Sequence, residues 1–564
     1  MNFVSYTQGD TLGGKMQKKN YWNGHDAAHR RIMYKGAGYS DDDIRHKPHI
    51  GVANTFSDAS PATAHLRLLA DAVKQGVWSA GGVPFEFGVP GLCGNIAVGH
   101  ENCRYELAER DVVCSAIEIV SKINHFDGLV TLSSCDDILA GSLMGVGRVN
   151  IPSVMVTGGP MMPGCYQGKK VLAPDIEEFE FAGATPSDFS ALEDAACPGF
   201  GSCGVMGTAN TMQIIVEALG LALPGSTTIP AVMADKIRIA RESGRQVVEL
   251  VQKGLKPSLI LEKKAFINAI IVDLAIGGST NAILHLLALA REVGIPLTID
   301  DFDAVSRKVS CICAVRPNGP YNMVDLHEAG GVPAIQKALE EVVETSTIGV
   351  SGASLANILE QVSSHPNSVI RSLQDPVHHD CGLAILKGNL APDGAIIRPS
   401  GVPVGMKRFQ GPARVFEDED QAIAAMKNGS IKPGDVIVLR YLGPKGAPGM
   451  QYAQAACQAL VGLGLHQSVG LVTDGRFSGF NHGPIVGHIS PEAFEGGPLA
   501  LVRDGDQISV DVDTRILEID LSENELADRK SEWKQPDSKA KSGWLALYAA
   551  NCRPASEGAA MQPW

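Results

Sequence analysis

The 564-residue chain lacks several features that would place it in a specialised class of protein. It has no uninterrupted apolar run of about 18 residues, which a membrane-spanning helix requires. Its first stretch, MNFVSYTQGDTLGGKMQKKNYWNG, has no apolar core of the kind found in secretory signals. No basic tract is interleaved with aromatic residues, and the net charge of −14 disfavours nucleic acid or an anionic membrane surface as a partner. We therefore expect no nucleic-acid partner, no membrane partner and a cytoplasmic location.

Cysteine is present but not in the pattern of a disulfide-bonded protein. Twelve cysteines are spread over the whole length, which favours a reduced, intracellular setting. The chain is too long for one compact core, so two or more domains are expected. Its 62 glycines indicate many tight turns, which suit an α/β enzyme better than a helical bundle.

The first part of the chain alternates between strand-like and helix-like segments. Residues 1–48 are polar and indicate an N-terminal arm or surface helices. From residue 49, buried strands are predicted at 125–134 and 151–160, and amphipathic helices at 106–123 and 280–294. This alternation predicts a largely parallel sheet covered by helices.

The pattern changes after about residue 375. Strands are predicted at 433–441, 468–475 and 505–520, separated by Gly/Pro turns and with fewer helices between them. We therefore predict an α/β domain over residues 1–375 and a mainly β, barrel-like domain over residues 376–564.

One short stretch, SSCDDILAGS (133–142), combines groups of different chemistry. Cys135 is a candidate cluster or metal ligand, although most cysteines are small buried hydrophobic residues. Asp136 and Asp137 follow it directly and could be hard-cation ligands, acid/base groups or helix caps. The residues alone leave these alternatives open.

A series of motifs gives the chain a strong resemblance to a known family. The segments GVANTFSDASPATAH, HFDGLVTLSSCDD, ACPGFGSCGVMGTANTM, RYLGPKGAPGM and TDGRFSGFNHGPIVGH follow one another in order. With them, the chain resembles the dihydroxy-acid dehydratase and sugar-acid (phosphogluconate-type) dehydratase family from about residue 25 to the C-terminal ASEGA.

The resemblance implies a specific chemistry. Members of the family remove water from 2,3-dihydroxy carboxylates to give 2-keto acids. An iron–sulfur cluster held by three cysteines acts on the leaving hydroxyl, Mg²⁺ binds the carboxylate and 2-hydroxyl, and a serine takes the C2 proton. The implied substrate is a small carboxylic acid, and the implied assembly is a homodimer or a dimer of dimers.

The cluster positions of the family are matched in part. Cys135 and Cys203 match two of the three cysteines. At the third position the family usually has Pro-Cys, and this chain has Pro61-Ala62. The phosphogluconate-type branch has a cysteine at the position of Cys93. Cys93, Cys135 and Cys203 could therefore form an alternative trio, with an inert buried thiol as the other interpretation of Cys93.

The magnesium positions of the family are mostly changed. Asp136 is kept, but Gly94 replaces an aspartate and Asp137 replaces a lysine that is carbamylated in the family. Leu442 replaces a glutamate. We therefore expect the ordinary magnesium site to be absent.

Further site residues come from the second half of the chain. Ser478 matches the proton-abstracting serine of the family, and His482 could serve as a new base. Arg476 could orient the loop that carries Ser478 or bind the substrate, and Arg440 and Lys445 could meet an anionic ligand. Lys445 could instead help to fix a tight turn.

Three functions stay open at this point. The first is a divergent lyase of the family acting on a small hydroxy or keto acid. The second is a metal-free acid/base enzyme on the same scaffold, such as an isomerase, hydrolase or C–C lyase. The third is a non-catalytic family member. Because the metal ligands are changed, we expect no efficient dehydration of 2,3-dihydroxyisovalerate or common sugar acids.

Overall fold

The computed structural model describes residues 21–176, 185–363, 365–477 and 482–562. The first part is built on a four-stranded parallel sheet in the order β2-β1-β3-β4. Its strands are β1 (His49–Asn54), β2 (Val83–Gly88), β3 (Gly128–Ser133) and β4 (Ser153–Thr157). Every residue of β1, β3 and β4 is buried, as expected for strands covered by helices on both faces. The predicted parallel sheet is confirmed.

Helices surround this sheet and fill the rest of the first part. They are α1 (Ala28–Gly36), α2 (Asp41–His46), α3 (Leu66–Ser79), α4 (Arg104–Asn124), α5 (Asp136–Val149), α6 (Pro186–Ala196), α7 (Thr208–Ala218), α8 (Ala234–Lys253), α9 (Pro257–Ile260), α10 (Lys263–Ile276), α11 (Asn281–Glu292), α12 (Ile299–Ser306), α13 (Met323–Glu328), α14 (Gly331–Ala338) and α15 (Leu355–Leu359). A small hairpin joins β5 (Gly164–Tyr166) to β6 (Lys169–Val171). Helices α4 and α11 correspond to the two predicted helices.

The second part of the chain is a closed eight-stranded barrel in the order β10-β11-β12-β8-β7-β14-β13-β9. Its strands are β7 (Ala384–Gly388), β8 (Ala391–Ile397), β9 (Arg408–Phe416), β10 (Val436–Leu439), β11 (Gly470–Thr473), β12 (Ile485–Ser490), β13 (Gln507–Asp511) and β14 (Ile516–Ile519). Its helices are α16 (Glu419–Lys427), α17 (Gln454–Gly462), α18 (Glu523–Glu532) and α19 (Gly543–Asn551). The barrel confirms the predicted β-rich second part.

Helices α4 and α5 approach each other closely, and this contact shapes the site. A Cβ added to Gly141 of α5 would lie 2.4 Å from the carbonyl oxygen of Arg110 of α4. Only glycine allows that separation. The contact brings the first turns of α4 and α5 together, and both carry acidic residues.

The end of the chain returns to pack on α4. Trp544 Nε1 donates to the carbonyl of Ala108 at 3.0 Å, and the Met561 amide donates to Asp111 Oδ1 at 2.9 Å. Arg515 joins the barrel to α12 through Asp303 Oδ1 at 2.9 Å. Helix α4 is thus fixed between the sheet domain and the C-terminal segment. No helix in the described ranges has both the length and the apolar content that crossing a membrane would need.

Candidate active site

The site lies at the carboxyl edge of the parallel sheet. Ala62 is in the loop after β1, Cys93 in the loop after β2, and Cys135 two residues after the end of β3. The carboxyl ends of parallel strands meet at one edge, where α/β proteins commonly bind their ligands. This topology brings together residues that are far apart in the sequence.

Four cysteines line one cavity at this edge, which we name the thiol cavity: Cys93, Cys135, Cys197 and Cys203, together with Ala62. Its volume is about 210 Å³. Cys93, Cys135 and Cys203 are the trio that the sequence suggested. Cys197 is an exposed residue that lines the same cavity.

The three thiols of the trio interact with one another. A hydrogen bond between Cys93 and Cys135 lowers the pKa of Cys93 and raises the pKa of Cys135 well above its usual value. Burial raises the pKa of Cys203, whose Sγ accepts a hydrogen bond from Asn95 Nδ2 at 3.1 Å. The charge of a Cys93 thiolate also raises the pKa of Cys203, so the three thiols affect one another's protonation.

This donor set fits an iron–sulfur cluster. In the described part of the chain, no three His, Cys, Asp or Glu side chains converge at the distances needed for a single metal ion. A cluster makes a different demand, because each thiolate binds its own iron and the sulfur atoms stay apart. Cys93, Cys135 and Cys203 line one cavity as a cluster requires, and binding separate irons would replace the Cys93–Cys135 hydrogen bond.

A second cavity of about 260 Å³ adjoins the first, and we name it the acidic cavity. Its lining includes two carboxyl groups, Glu106 and Asp136, and it shares Asn95, Cys135 and Cys203 with the thiol cavity. The lining also has polar, uncharged side chains (Thr208, Asn210, Tyr452 and Gln454) and apolar ones (Val98, Ala173, Pro174, Ile176 and Val205). Cys135 and Cys203 therefore border both cavities.

Asp136 starts α5 and lies at the junction of the two cavities. Cys135 is the N-cap residue of this helix, and its Sγ lies 3.7 Å from Asp136 Oδ1. Burial and the negative charge of Asp137 raise the pKa of Asp136 to about 6. A carboxyl group in the first turn of a helix is stabilised by the helix dipole, so Asp136 also has a structural role.

Glu106 occupies the space that a side chain at residue 94 would need. A Cβ added to Gly94 would lie 1.6 Å from Glu106 Oε1 and 2.1 Å from its Cδ. The aspartate that Gly94 replaces is therefore compensated by a carboxyl group from α4. Burial raises the pKa of Glu106 well above its usual value, against the opposing effect of Arg476.

Asp137 points away from the acidic cavity into a buried ion-pair network. Arg476 donates from Nη1 to Asp137 Oδ2 at 3.0 Å and from Nη2 to Glu106 Oε2 at 3.2 Å. His285 Nε2 lies 3.2 Å from Asp137 Oδ1. Burial alone would raise the pKa of Asp137, but Arg476 and then His285 outweigh it and lower the pKa.

Arg476 is fully buried at the centre of this network. Its Nε donates to the carbonyl of Met450 at 2.9 Å, and its guanidinium lies 4.1 Å from the centre of the Tyr452 ring. Tyr452 separates it from the acidic cavity, which Arg476 itself does not line. Arg476 is thus placed to hold the Asp137 and Glu106 carboxyl groups in position.

The residues present do not fit the magnesium site of the family. Leu442 is buried in an apolar cluster and offers no oxygen atom. The Asp137 carboxylate is paired with Arg476 and contacts His285, and the Glu106 carboxylate is paired with Arg476. Of the expected ligand positions, Asp136 alone presents a carboxyl group that is not bound to a cation of the protein.

The remaining site residues predicted from the sequence are Ser478, His482, Arg440 and Lys445. Ser478 lies outside the described residues. His482 is exposed and lines neither cavity. Arg440 pairs with Glu417 at 2.7 Å.

Lys445 and Arg440 both have partners away from the two cavities. The Lys445 side chain pairs with Glu495, while its amide and that of Gly446 donate to Glu492. Glu492 thereby fixes the tight turn of the GPKG segment, in line with the alternative interpretation of Lys445.

Sequence reasoning missed Glu106 and Tyr452 as parts of the site. Glu106 lies twelve positions beyond Gly94 and on a different element, so one sequence gives no sign that the two share a space. Tyr452 follows the RYLGPKGAPGM motif, which marked its neighbourhood but not its role.

Comparison with known proteins gives the family. Residues 47–358 match the model of the dihydroxy-acid/6-phosphogluconate dehydratase N-terminal domain, and residues 368–559 match that of the C-terminal domain. The chain belongs to the dihydroxy-acid/6-phosphogluconate dehydratase family. The resemblance seen in the sequence motifs is confirmed.

Relatives in the family are similar over nearly their whole length. A protein of Methanococcus maripaludis named dihydroxy-acid dehydratase is 45% identical over 537 residues, covering 94% of this chain and 97% of the relative. Relatives of the same name from Methanococcus aeolicus and Thermodesulfovibrio yellowstonii are each 44% identical, covering 97% and 95% of this chain and 100% and 98% of their own. These similarities give no support to the expectation of a degraded enzyme without efficient dehydration.

Proposed function

We propose that this protein is a hydro-lyase that removes water from a small 2,3-dihydroxy carboxylic acid to give a 2-keto acid. The observation that carries the proposal is the junction of the two cavities. Cys135 and Cys203 border the acidic cavity while they also belong to the thiol trio. A small polyhydroxy acid in the acidic cavity would therefore lie against the thiol group.

The trio would hold the cofactor of the family. Cys93, Cys135 and Cys203 would bind an iron–sulfur cluster, which when bound supplies a Lewis acid for the leaving hydroxyl group. Cys93 would then replace the cysteine that most of the family has at the position of Ala62. No step of the proposed reaction depends on magnesium, because the residues present do not fit that ion.

The acidic cavity offers neutral groups for a substrate carboxylate. The first turn of α7 lines it through Thr208, Ala209 and Asn210 and contains no acidic residue. The amides of a first helical turn have no acceptor within the helix and attract anions. Gln454 adds a side-chain amide at the same cavity.

The elimination also needs groups that move protons. The C2 proton goes to a base, the C3 hydroxyl leaves as water, and the resulting enol takes up a proton at C3 to become the 2-keto acid. Asp136 lies at the cavity junction, where it can accept or return a proton. For Ser478, the support is its match to the proton-abstracting serine of the family.

The test is keto-acid formation by protein purified and assayed without oxygen. A panel of 2,3-dihydroxy acids, including 2,3-dihydroxyisovalerate and sugar acids, is expected to contain a substrate. The Cys135→Ser variant should lose turnover, while Cys165→Ser, at an exposed cysteine outside both cavities, should keep it.

Two outcomes would overturn the proposal. Turnover that survives in Cys135→Ser would favour a metal-free acid/base enzyme. No turnover on the panel by cluster-loaded protein would favour a non-catalytic family member. The dimeric assembly and the cytoplasmic location stay predictions.

A further inference from the structure

The acidic side chains of the site already have a cation within the protein. Asp137, Glu106 and Asp136 bring three carboxyl groups to adjoining positions at the starts of α4 and α5. The Arg476 guanidinium contacts two of them, at 3.0 Å and 3.2 Å. An arginine with two carboxyl partners forms directed, charge-assisted hydrogen bonds.

Arg476 has further contacts besides the two carboxyl groups, although the buried Asp137 Oδ1 forms no hydrogen bond to a described residue. The remaining Nε of Arg476 donates to Met450, and the Tyr452 ring covers one face of the guanidinium. Asp137 is only 2% exposed and Arg476 is fully buried. A buried charge is stable only when it is paired and hydrogen-bonded, and here each charge supplies the other's partner.

The carboxyl group of Glu106 ties this network to the changed residue 94. Only glycine at residue 94 leaves room for the Glu106 side chain in its present position. A Cβ at residue 94 would lie 1.6 Å from Glu106 Oε1. From that position, Oε2 reaches Arg476. Gly94 and Glu106 therefore act as a pair that directs a carboxyl group toward the guanidinium.

We propose that Arg476, held by Asp137 and Glu106, is the cation that balances the acidic side chains of this site in place of a divalent metal ion. Arg476 and Glu106 are then positioning residues, since neither is needed to touch the reacting atoms. The inference rests on the proposed function, because that proposal makes this site the active site. It adds which group replaces the metal ion.

The test measures metal binding without substrate or turnover, so its result is independent of the hydro-lyase proposal. Mn²⁺ serves as the probe, because its free form has a strong electron paramagnetic resonance signal that decreases on binding. Wild-type protein, purified without oxygen and transferred to metal-free buffer, should leave the signal of equimolar Mn²⁺ unchanged.

The Arg476→Met variant should behave differently. Without the guanidinium, Asp136, Asp137 and Glu106 would need another positive charge, so this variant should bind one Mn²⁺ per chain. Mg²⁺ should raise its thermal midpoint and leave that of the wild type unchanged. The matched control is Arg440→Met, which removes an arginine that pairs with Glu417 outside both cavities and should bind no Mn²⁺.

Two results would overturn the inference. One is stoichiometric Mn²⁺ binding by the wild type that Glu106→Gln abolishes, since Glu106 would then be a metal ligand. The other is a folded Arg476→Met variant that binds no Mn²⁺. If Arg476→Met does not fold, the wild-type and Glu106→Gln measurements decide alone: stoichiometric binding by the wild type that Glu106→Gln abolishes contradicts the inference, and the absence of such binding supports it.

Discussion

Substitution of Gly94 by alanine should destabilise the protein through one identifiable contact. The new methyl group would lie 1.6 Å from Glu106 Oε1, so the Glu106 side chain must move. Movement breaks its hydrogen bond to Arg476, and a hydrogen bond to a charged group contributes about 1.5–3 kcal/mol. Gly94 does not have a left-handed backbone, so alanine adds no backbone strain there. Alanine also lowers the conformational entropy of the unfolded chain, which stabilises the folded protein by about 0.4–1 kcal/mol. The net loss in the free energy of unfolding should be about 1–2 kcal/mol.

The assay is urea denaturation of four proteins: wild type, Gly94→Ala, Glu106→Ala and the double variant. In the Glu106→Ala background no carboxyl group meets the new methyl, so adding Gly94→Ala should cost less than about 0.5 kcal/mol. Gly88→Ala is the control, because a Cβ there meets nothing within 4 Å. A Gly94→Ala effect of the same size in both backgrounds, or none in the wild type, would refute the reasoning.

Three further predictions follow from buried groups. Asp137→Asn should lower the free energy of unfolding by about 3–5 kcal/mol, because it removes one partner of a buried ion pair; urea denaturation showing less than 1 kcal/mol, roughly the value of a surface pair, would contradict this. Burial lowers the pKa of Lys236 from 10.5 to about 7, so the unfolded state binds more protons between these values and stability should rise with pH across that window. Lys236→Met should show a smaller rise in the same measurement, and an unchanged slope would be the contrary result. Cys203→Ser should lower the iron and sulfide content of protein purified without oxygen, while Cys165→Ser should leave it at the wild-type level; equal contents would remove Cys203 from the trio.

The sequence predicted the architecture well, for reasons visible in particular strands. β3 and β4 are short, wholly buried and bounded by turn residues, so their apolar runs stand out from the helices between them. The change to Gly/Pro-separated strands after residue 375 likewise predicted the barrel. These features depend on local patterns that one sequence displays.

The site could be predicted only where a motif carried it. Cys135 and Cys203 lie in recognisable segments, and Cys93 is a candidate because the phosphogluconate-type branch has a cysteine at its position. The pairing of Glu106 with Gly94 and the direction of Asp137 depend on how α4 packs against α5. Such contacts between elements leave no local pattern, so the sequence showed the lost aspartate and not the carboxyl group that replaces it.

The central claim, elimination of water from a 2,3-dihydroxy acid, is tested most directly by running the reaction in D₂O. Elimination passes through an enol that takes its C3 proton from the solvent. The account therefore predicts a 2-keto acid carrying one deuterium at C3, detected by ¹H NMR and mass spectrometry with cluster-loaded wild-type protein. A keto acid that retains only substrate hydrogen at C3, or no keto acid from any 2,3-dihydroxy acid tested, would contradict it.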